Sequence, residues 1–348
     1  QSLDETKFSN EIAKKLGTNH KVINFDSEDF KDLSSRAFRN LDIPLGDSSY
    51  IPTFLLCEKV SKYYKCALSG DGGDELLGGY PTYRAHKYLS LYESYIPQKM
   101  RGYLMHNIVR LLPKSDINIS MEMKLSRFLA GKTMPLVKRH FTWMSTTFDK
   151  SVINRIMSNK VISKIDSYNA LENLLTSVGI KDPINAAQFI DLKSYLPGSI
   201  LSKLDNASMS NGLEVRSPFV NKRMLDGTGM IPSSYKVGLL NSKKILRDIA
   251  KDIYGRSISK LPKKGLNFSV GKTLSQELEK NIRSSLFWLE NHIDIQYTNH
   301  IIDEHLSGER NHRKLLWTIY SVANWWSEIK AIDNKIDKRN LYEYKKFV

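Results

Sequence analysis

The chain has 348 residues, 41% apolar and 26% charged, a balance that excludes a disordered polyelectrolyte and leaves room for one large domain or two ordinary ones. Its formal net charge is +15, but the lysines are spread along the whole chain without a long block or a nucleic-acid module. A generally basic surface is therefore favoured over a nucleic-acid partner.

No apolar run approaches membrane-spanning length and no signal peptide precedes the first residue, so a cytoplasmic protein without a membrane partner is expected. Cys57 and Cys66 lie in apolar stretches without metal-type spacing and read as buried thiols, not a disulfide. The first residue is Gln1 and not Met, which is consistent with sequence having been removed upstream.

In chain order, Asp4 to Leu16 has the spacing of an amphipathic helix, through Phe8, Ile12, Ala13 and Leu16, with Gly17 as its stop. His20 to Phe25 alternates and is rich in β-formers, which predicts a strand. Ser27 to Leu41 returns to helical spacing. A loop with two prolines and the turn-forming aspartates Asp42 and Asp47 follows, then a helix over Thr53–Tyr63 and a strand over Lys65–Ser69. Strand, helical crossover and strand imply a parallel pair in a layered α/β domain. Two strands alone do not make a stable sheet, so further strands are expected elsewhere in the chain, in a partner or upstream.

Directly after the second predicted strand comes Ser69 to Tyr80, SGDGGDELLGGY, with five glycines and three acidic residues. Glycine permits sharp turns and close approach of backbone to a ligand. Asp71, Asp74 and Glu75 offer carboxylates for Mg²⁺ or for proton transfer. The end of a strand in an open α/β sheet is where ligands bind. A plain solvated turn fits one Gly-Asp pair better than this density.

From Arg84 to about Asn211 helix follows helix. Asp182-Pro183 reads as an N-cap with proline at the first helical position. Leu196 to Phe219, LPGSILSKLDNASMSNGLEVRSPF, mixes small residues with Asp205, Glu214 and Arg216. The last two also suit a structural ion pair. Lys243 and Lys244 open a helix that Gly255 stops, and Lys263 and Lys264 precede Gly265. Carboxylates for Mg²⁺ and lysines for phosphate are what a nucleotide-using site needs, although each alone also suits a turn, an ion pair or a solvated loop. Helices resume over 273–328, where Trp317, Tyr320, Trp325 and Trp326 read as core packing. The polar, lysine-rich end reads as a loosely held tail.

SGDGGDELLGGY followed by PTYR resembles the signature loop of the synthetase domain of glutamine-hydrolysing asparagine synthetases. The resemblance is colinear from about residue 2 to 328. It takes in SLDETKFSNEIAKKLGTNH, LDIPLGDSSYIPTFLL, DLKSYLPGSILSKLDNASMSNGLEVRSPF, SKKILRDIA, LPKKGLNF and HRKLLWTIYSVANWW. It implies an α/β fold of the ATP-pyrophosphatase, adenine nucleotide alpha hydrolase-like type: a partial doubly wound parallel sheet with a large, mostly helical remainder. The domain would cover 1–328, with a nucleotide-binding part over 1–84, a helical part over 85–328, and a basic tail over 329–348.

The activity it implies is that of a carbon–nitrogen ligase. ATP and Mg²⁺ are bound, a carboxylate is adenylated with release of pyrophosphate, and ammonia attacks to give an amide and AMP. Aspartate is the expected acceptor, ammonia would come from a glutaminase domain or subunit, and a homodimer is compatible. Ser69 and Gly70 match nucleotide-contacting positions, and Asp74 matches a Mg²⁺ position. Asp71 matches a carboxylate, often Glu, associated with substrate binding and deprotonation of the attacking nitrogen. Lys243 matches a lysine that stabilises phosphate charge during adenylation. Asp47, Glu75, Asp205, Glu214 and Arg216 are substrate-side or structural candidates.

The sequence also departs from the family pattern. The Ser-Gly-Gly-x-Asp-Ser pyrophosphate loop and the glutaminase domain with its N-terminal Cys are not in these residues. Asp42-Ile43-Pro44 stands for Asp-Glu-Pro, Asn206 for a basic residue, Asn221 for Asp, and Gly265-Leu266-Asn267 for the more usual Gly-Phe. Without the pyrophosphate loop's amides, weak ATP binding and poor turnover are expected of these residues alone. They read as a C-terminal fragment or split polypeptide. A relative amidating another carboxylate, a sugar acid or a ring-closing substrate, keeps the same chemistry. A non-catalytic split or degenerate module is the reading from another class.

Overall fold

Helical periodicity dominates this chain, and helices carry most of its structure. The computed structural model describes residues 6–24, 30–95, 97, 128, 131, 133–144, 150–157, 168–259, 261, 272–310 and 312–343. The N-terminal part comprises α1 (Thr6–Leu16), α2 (Phe30–Phe38), α3 (Tyr50–Ser61), β1 (Cys66–Leu68), α4 (Gly73–Leu77) and α5 (Pro81–Tyr95). The middle comprises α6 (Leu136–Met144), α7 (Lys150–Ile156), α8 (Asn169–Val178), α9 (Pro183–Lys193), a π turn over Leu196–Leu201, α10 (Ser202–Met209) and β2 (Glu214–Arg216). The remainder comprises α11 (Lys222–Met230), α12 (Ser233–Lys236), α13 (Lys244–Tyr254), α14 (Arg256–Ser259), α15 (Lys272–Ser285), α16 (Ile295–Ser307) and α17 (Arg313–Glu343).

The protein is a mostly helical α/β structure with a two-stranded parallel sheet among the described residues. β1 pairs with β2 in the register Cys66–Glu214, Ala67–Val215, Leu68–Arg216. Beyond the strands, the Ser69 amide donates to the Arg216 carbonyl at 2.9 Å. Ala67 and Val215 face the core while Cys66 and Leu68 point outward.

The partner of β1 is therefore β2 and not residues 20–25. Residues 20–24 form no strand, with Val22 and Ile23 exposed, and Phe25 lies outside the described residues. An alternating pattern becomes a strand only where a neighbouring ladder satisfies its backbone.

The main core gathers Phe30, Leu33 and Phe38 of α2, Ile51 and Phe54 of α3, and Trp317 and Tyr320 of α17. Phe38 meets Tyr320 edge-on at 5.5 Å between ring centres. Three hydrogen bonds, two of them buried, tie the proline loop to this core. The Tyr50 hydroxyl donates to the Ala37 carbonyl at 3.0 Å, the Ser321 hydroxyl to the Leu45 carbonyl at 2.7 Å, and the Trp325 indole to the Leu41 carbonyl at 3.0 Å.

α17 does not end near 328 but runs to Glu343, so most of the expected tail over 329–348 is helical. No glycine or proline interrupts residues 313–343, and Ile329, Ile332 and Ile336 keep helical spacing. Of the two thiols, Cys57 is buried, which pushes it up to about 11, whereas Cys66 is exposed because it sits on the outer face of β1.

A second, smaller cluster of Tyr83, Ile184, Ala187 and Val237 lies beneath α4. α9 opens as its sequence predicts: the Asp182 carboxylate accepts from the amides of Ile184 at 3.0 Å and Asn185 at 2.8 Å, with Pro183 at the first position. Its C-terminal half buries Asp191, which accepts from the Tyr83 hydroxyl and, at 2.9 Å, from His140 Nε2. His140 Nδ1 in turn lies 3.1 Å from His86 Nε2. Burial, with His140 and Arg139 nearby, holds His86 well below its ordinary value. His86 is thus neutral, and one of the two facing ring nitrogens carries the shared proton. This polar string joins α5, α6 and α9.

Asp191→Ala would leave a buried hydroxyl and a buried imidazole without their acceptor. It is expected to cost about 3 kcal/mol in urea unfolding. Asp191→Asn should cost less, because its amide oxygen still accepts one bond. An unchanged urea midpoint in the alanine variant would count against the network.

Candidate functional site

The glycine-rich loop leaves β1 and at once opens α4. Gly72 caps that helix at φ 86°, and a Cβ there would sit 2.6 Å from a Val220 methyl, so only glycine fits without movement. Ser69 stands at the strand end with its hydroxyl 2.8 Å from the Ser217 hydroxyl, just beyond β2. The ends of both parallel strands thus present hydroxyls side by side. A Cβ at Gly70 would meet nothing within 4 Å, so the loop has open space before it.

Two charged groups meet beside the loop from different elements. Lys243, immediately before α13, sends its Nζ to within 2.9 Å of Asp74 Oδ1. Its backbone is left-handed, φ 53° and ψ 40°, the only non-glycine residue with positive φ among those described. The contact passes over Gly79, where a Cβ would lie 1.7 Å from Asp74 Oδ1 and 2.5 Å from Lys243 Cε. Asp71 is half-buried, and no hydrogen bond or ion pair reaches its carboxylate among the described residues. The structure thus brings Lys243 to Asp74, and Ser69, Gly70 and Asp71 precede Asp74 in the same loop at the carboxyl end of β1.

The other candidates lie elsewhere. Glu75 turns inward: it is buried and accepts from the Tyr80 hydroxyl at 2.6 Å. Burial pushes its carboxyl up, and the Tyr80 bond offsets only part of that. Asp47 pairs with the buried Lys203 at 3.0 Å and accepts from the Ser49 amide at 2.9 Å. Burial pushes Asp47 up, but the Lys203 ammonium and the Ser49 bonds outweigh it and hold the carboxyl below its ordinary value. Asp205 is exposed in the first turn of α10. Arg216 binds Glu214 at 2.8 Å on the outer face of β2, an exposed ion pair of structural character. Lys263 and Lys264 lie outside the described residues.

Three residues with supporting roles carry little sequence signal. Ser217 looks like any loop serine. Gln188, which donates to the carbonyls of Glu75 at 2.6 Å and Leu76 at 2.9 Å, looks like the polar face of a helix. Lys203, which also donates to the Ser49 hydroxyl at 2.8 Å, could have been suspected from its place among apolar and small residues.

The donor set bears on which cation fits. Among the described residues no group of three or more His, Cys, Asp or Glu is arranged to hold a metal. Asp74 and Asp71 are hard oxygen donors; Asp74 is sheltered beneath Lys243, and open space lies at Gly70. Such a set suits Mg²⁺ held by one or two carboxylates together with nucleotide oxygens, and does not suit a closed zinc site.

The family profile described as asparagine synthase matches residues 1–328. A curated relative named asparagine synthetase [glutamine-hydrolyzing] 1, from Bacillus subtilis (strain 168), is 25% identical over 329 residues, 94% of this chain and 50% of that protein. A putative asparagine synthetase [glutamine-hydrolyzing] from Mycobacterium bovis is 26% identical over 316 residues, 90% of this chain and 47% of its own length. A Penicillium rubens protein named amidase chyE is 26% identical over 266 residues, 70% of this chain and 37% of its own. The chain spans about half the length of the curated synthetases it matches first. No helix among the described residues is long and apolar enough to cross a membrane.

The Asp47–Lys203 pair makes stability depend on pH. Because the folded Asp47 carboxyl lies below its ordinary value of 3.8, its contribution is complete above that value. It is lost as pH falls through the lower folded value. Lys203→Met should therefore cost about 2 kcal/mol at neutral pH. Urea midpoints of parent and variant should converge as pH falls below 3.8 and through the lower folded value. A gap of constant size across that range would contradict the pairing.

Proposed function

The chain belongs to the asparagine synthase family, and on that premise we propose that it carries the adenylating part of an ATP-dependent, amide-forming synthetase. The observation that carries this reading is the convergence of Asp74 and Lys243 beside Ser69 and Gly70 at the carboxyl end of a parallel strand. Ser69 and Gly70 would contact the nucleotide, and Asp74 would hold Mg²⁺. Lys243 would neutralise charge that builds on the phosphates as pyrophosphate departs, where a preplaced cation is worth most. Asp71, half-buried in the loop, would take a proton from the attacking nitrogen. Mg²⁺ would polarise the phosphate oxygens when bound. The small parallel sheet is part of the doubly wound sheet this chemistry uses, and the site is cytoplasmic in this reading.

The overall reaction would convert aspartate, glutamine, ATP and water to asparagine, glutamate, AMP and pyrophosphate. Ammonia would come from a glutaminase domain or subunit. A second acceptor is favoured by one specific finding: relatives covering 70% and 75% of this chain are named amidases and not asparagine synthetases. In that case the adenylation is unchanged and a different carboxylate sits opposite Asp71.

The whole protein should release pyrophosphate from ATP only with Mg²⁺ and an acceptor. Release with aspartate is the expected result; release only with another carboxylic acid would replace aspartate as the acceptor. Asp74→Ala should lower Mg²⁺-dependent release at least about a hundredfold. Turnover that survives this change would remove Asp74 from the site.

A further inference from the structure

The pair between Asp74 and Lys243 is built at a cost. Lys243 is held in a left-handed backbone conformation that side-chain-bearing residues avoid. Gly79 leaves out the one atom that would lie between the two charges. The ammonium reaches Oδ1 at 2.9 Å, and both side chains are largely sheltered, 17% exposed for Asp74 and 25% for Lys243. A strained backbone on one element, a missing side chain on a second and a carboxylate on a third all serve a single contact.

We infer that Lys243 is a tethered cation occupying the metal position on Asp74, and that a divalent ion binds by displacing it. This rests on the nucleotide reading above. Mg²⁺ would need the lone pairs of a carboxylate oxygen at about 2.1 Å. An ammonium 2.9 Å from the same oxygen stands where the metal would approach, and two cations on one oxygen repel. Nucleotide phosphates remove the conflict, because they give the ammonium another anion to face. The metal alone should then bind weakly, and metal and nucleotide should bind with positive coupling in both directions. The lysine moves from a carboxylate to a phosphate; no bond is made or broken.

Mn²⁺ as a Mg²⁺ substitute, followed by its electron spin resonance signal in the whole protein, tests this without turnover. Without nucleotide, Lys243→Met should bind Mn²⁺ about five- to tenfold more tightly than the parent, the range of one sheltered ion pair. Lys243→Gly provides a second version that also relaxes the left-handed backbone, so a folding defect in one variant does not decide the outcome. A non-hydrolysable ATP analogue should tighten Mn²⁺ binding to the parent, and Asp74→Asn added to Lys243→Met should erase the gain.

If the folded Lys243 variants bind Mn²⁺ no better than the parent, or if the gain persists with Asp74→Asn, the displacement is overturned. If the parent fails to bind Mn²⁺ even with the analogue, the nucleotide reading falls and takes this inference with it. Parent binding with the analogue but no gain in the variants removes the displacement alone.

Discussion

A carboxylate and an ammonium from distant parts of the chain meet across a residue that has no side chain. The approach of Lys243 to Asp74 over Gly79 sets where three elements must lie. α4 has to begin at the end of β1. The turn after it has to stay bare. The strap leading into α13 has to pass close above that turn. The strap is pinned by buried and partly buried polar contacts: Lys236 donates to Asn185 at 3.0 Å and the Thr228 carbonyl at 3.3 Å, and Lys87 donates to the Val237 carbonyl at 2.6 Å. Burial pulls the Lys236 ammonium below its ordinary value, with Asp182 pulling the other way. A lysine is a costly anchor, and here its stem also fills space beside Gly78.

Beneath the loop the polar groups serve one another. Glu75 looks like a ligand in sequence because it follows Asp74, yet a helix turn sends adjacent residues in different directions. Asp74 faces Lys243, while Glu75 faces Tyr80 and the interior. Gln188 caps the same short helix from below by binding two of its carbonyls. Such groups hold a five-residue helix that could not persist alone.

Local rules were enough for the helices and the caps. Apolar spacing marks α1, α2 and α9, and Asp182-Pro183 marks a helix start to the residue. Strands were less legible. Residues 20–24 alternate and form none, whereas Glu214-Val215-Arg216 reads as a charged pair and is the strand that β1 uses. Strand formation depends on a partner far away in sequence, which no short window contains. The loop itself was legible as a dense mix of glycine and carboxylate. What it did not disclose is which carboxylate turns outward, or that Lys243 would pair with one of them. Lys203 escaped for the same reason, since its partner Asp47 lies in the proline loop.

The π turn over Leu196–Leu201 ties the helical scaffold to the proline loop in a further way. Apart from a turn at Ser194, the chain is helical from Pro183 to Met209, and Pro197 withholds an amide inside it. A π turn accommodates one residue more than an α-helical turn. Closing it into a regular helix would advance everything beyond by about 100° around the axis. Lys203 and Ala207 would then rotate off the face they now occupy, leaving the half-buried Asp47 without its cation. The extra residue acts as a phase setting: it lets one length of helix support the loop over β1 with its first half and the proline loop with its second.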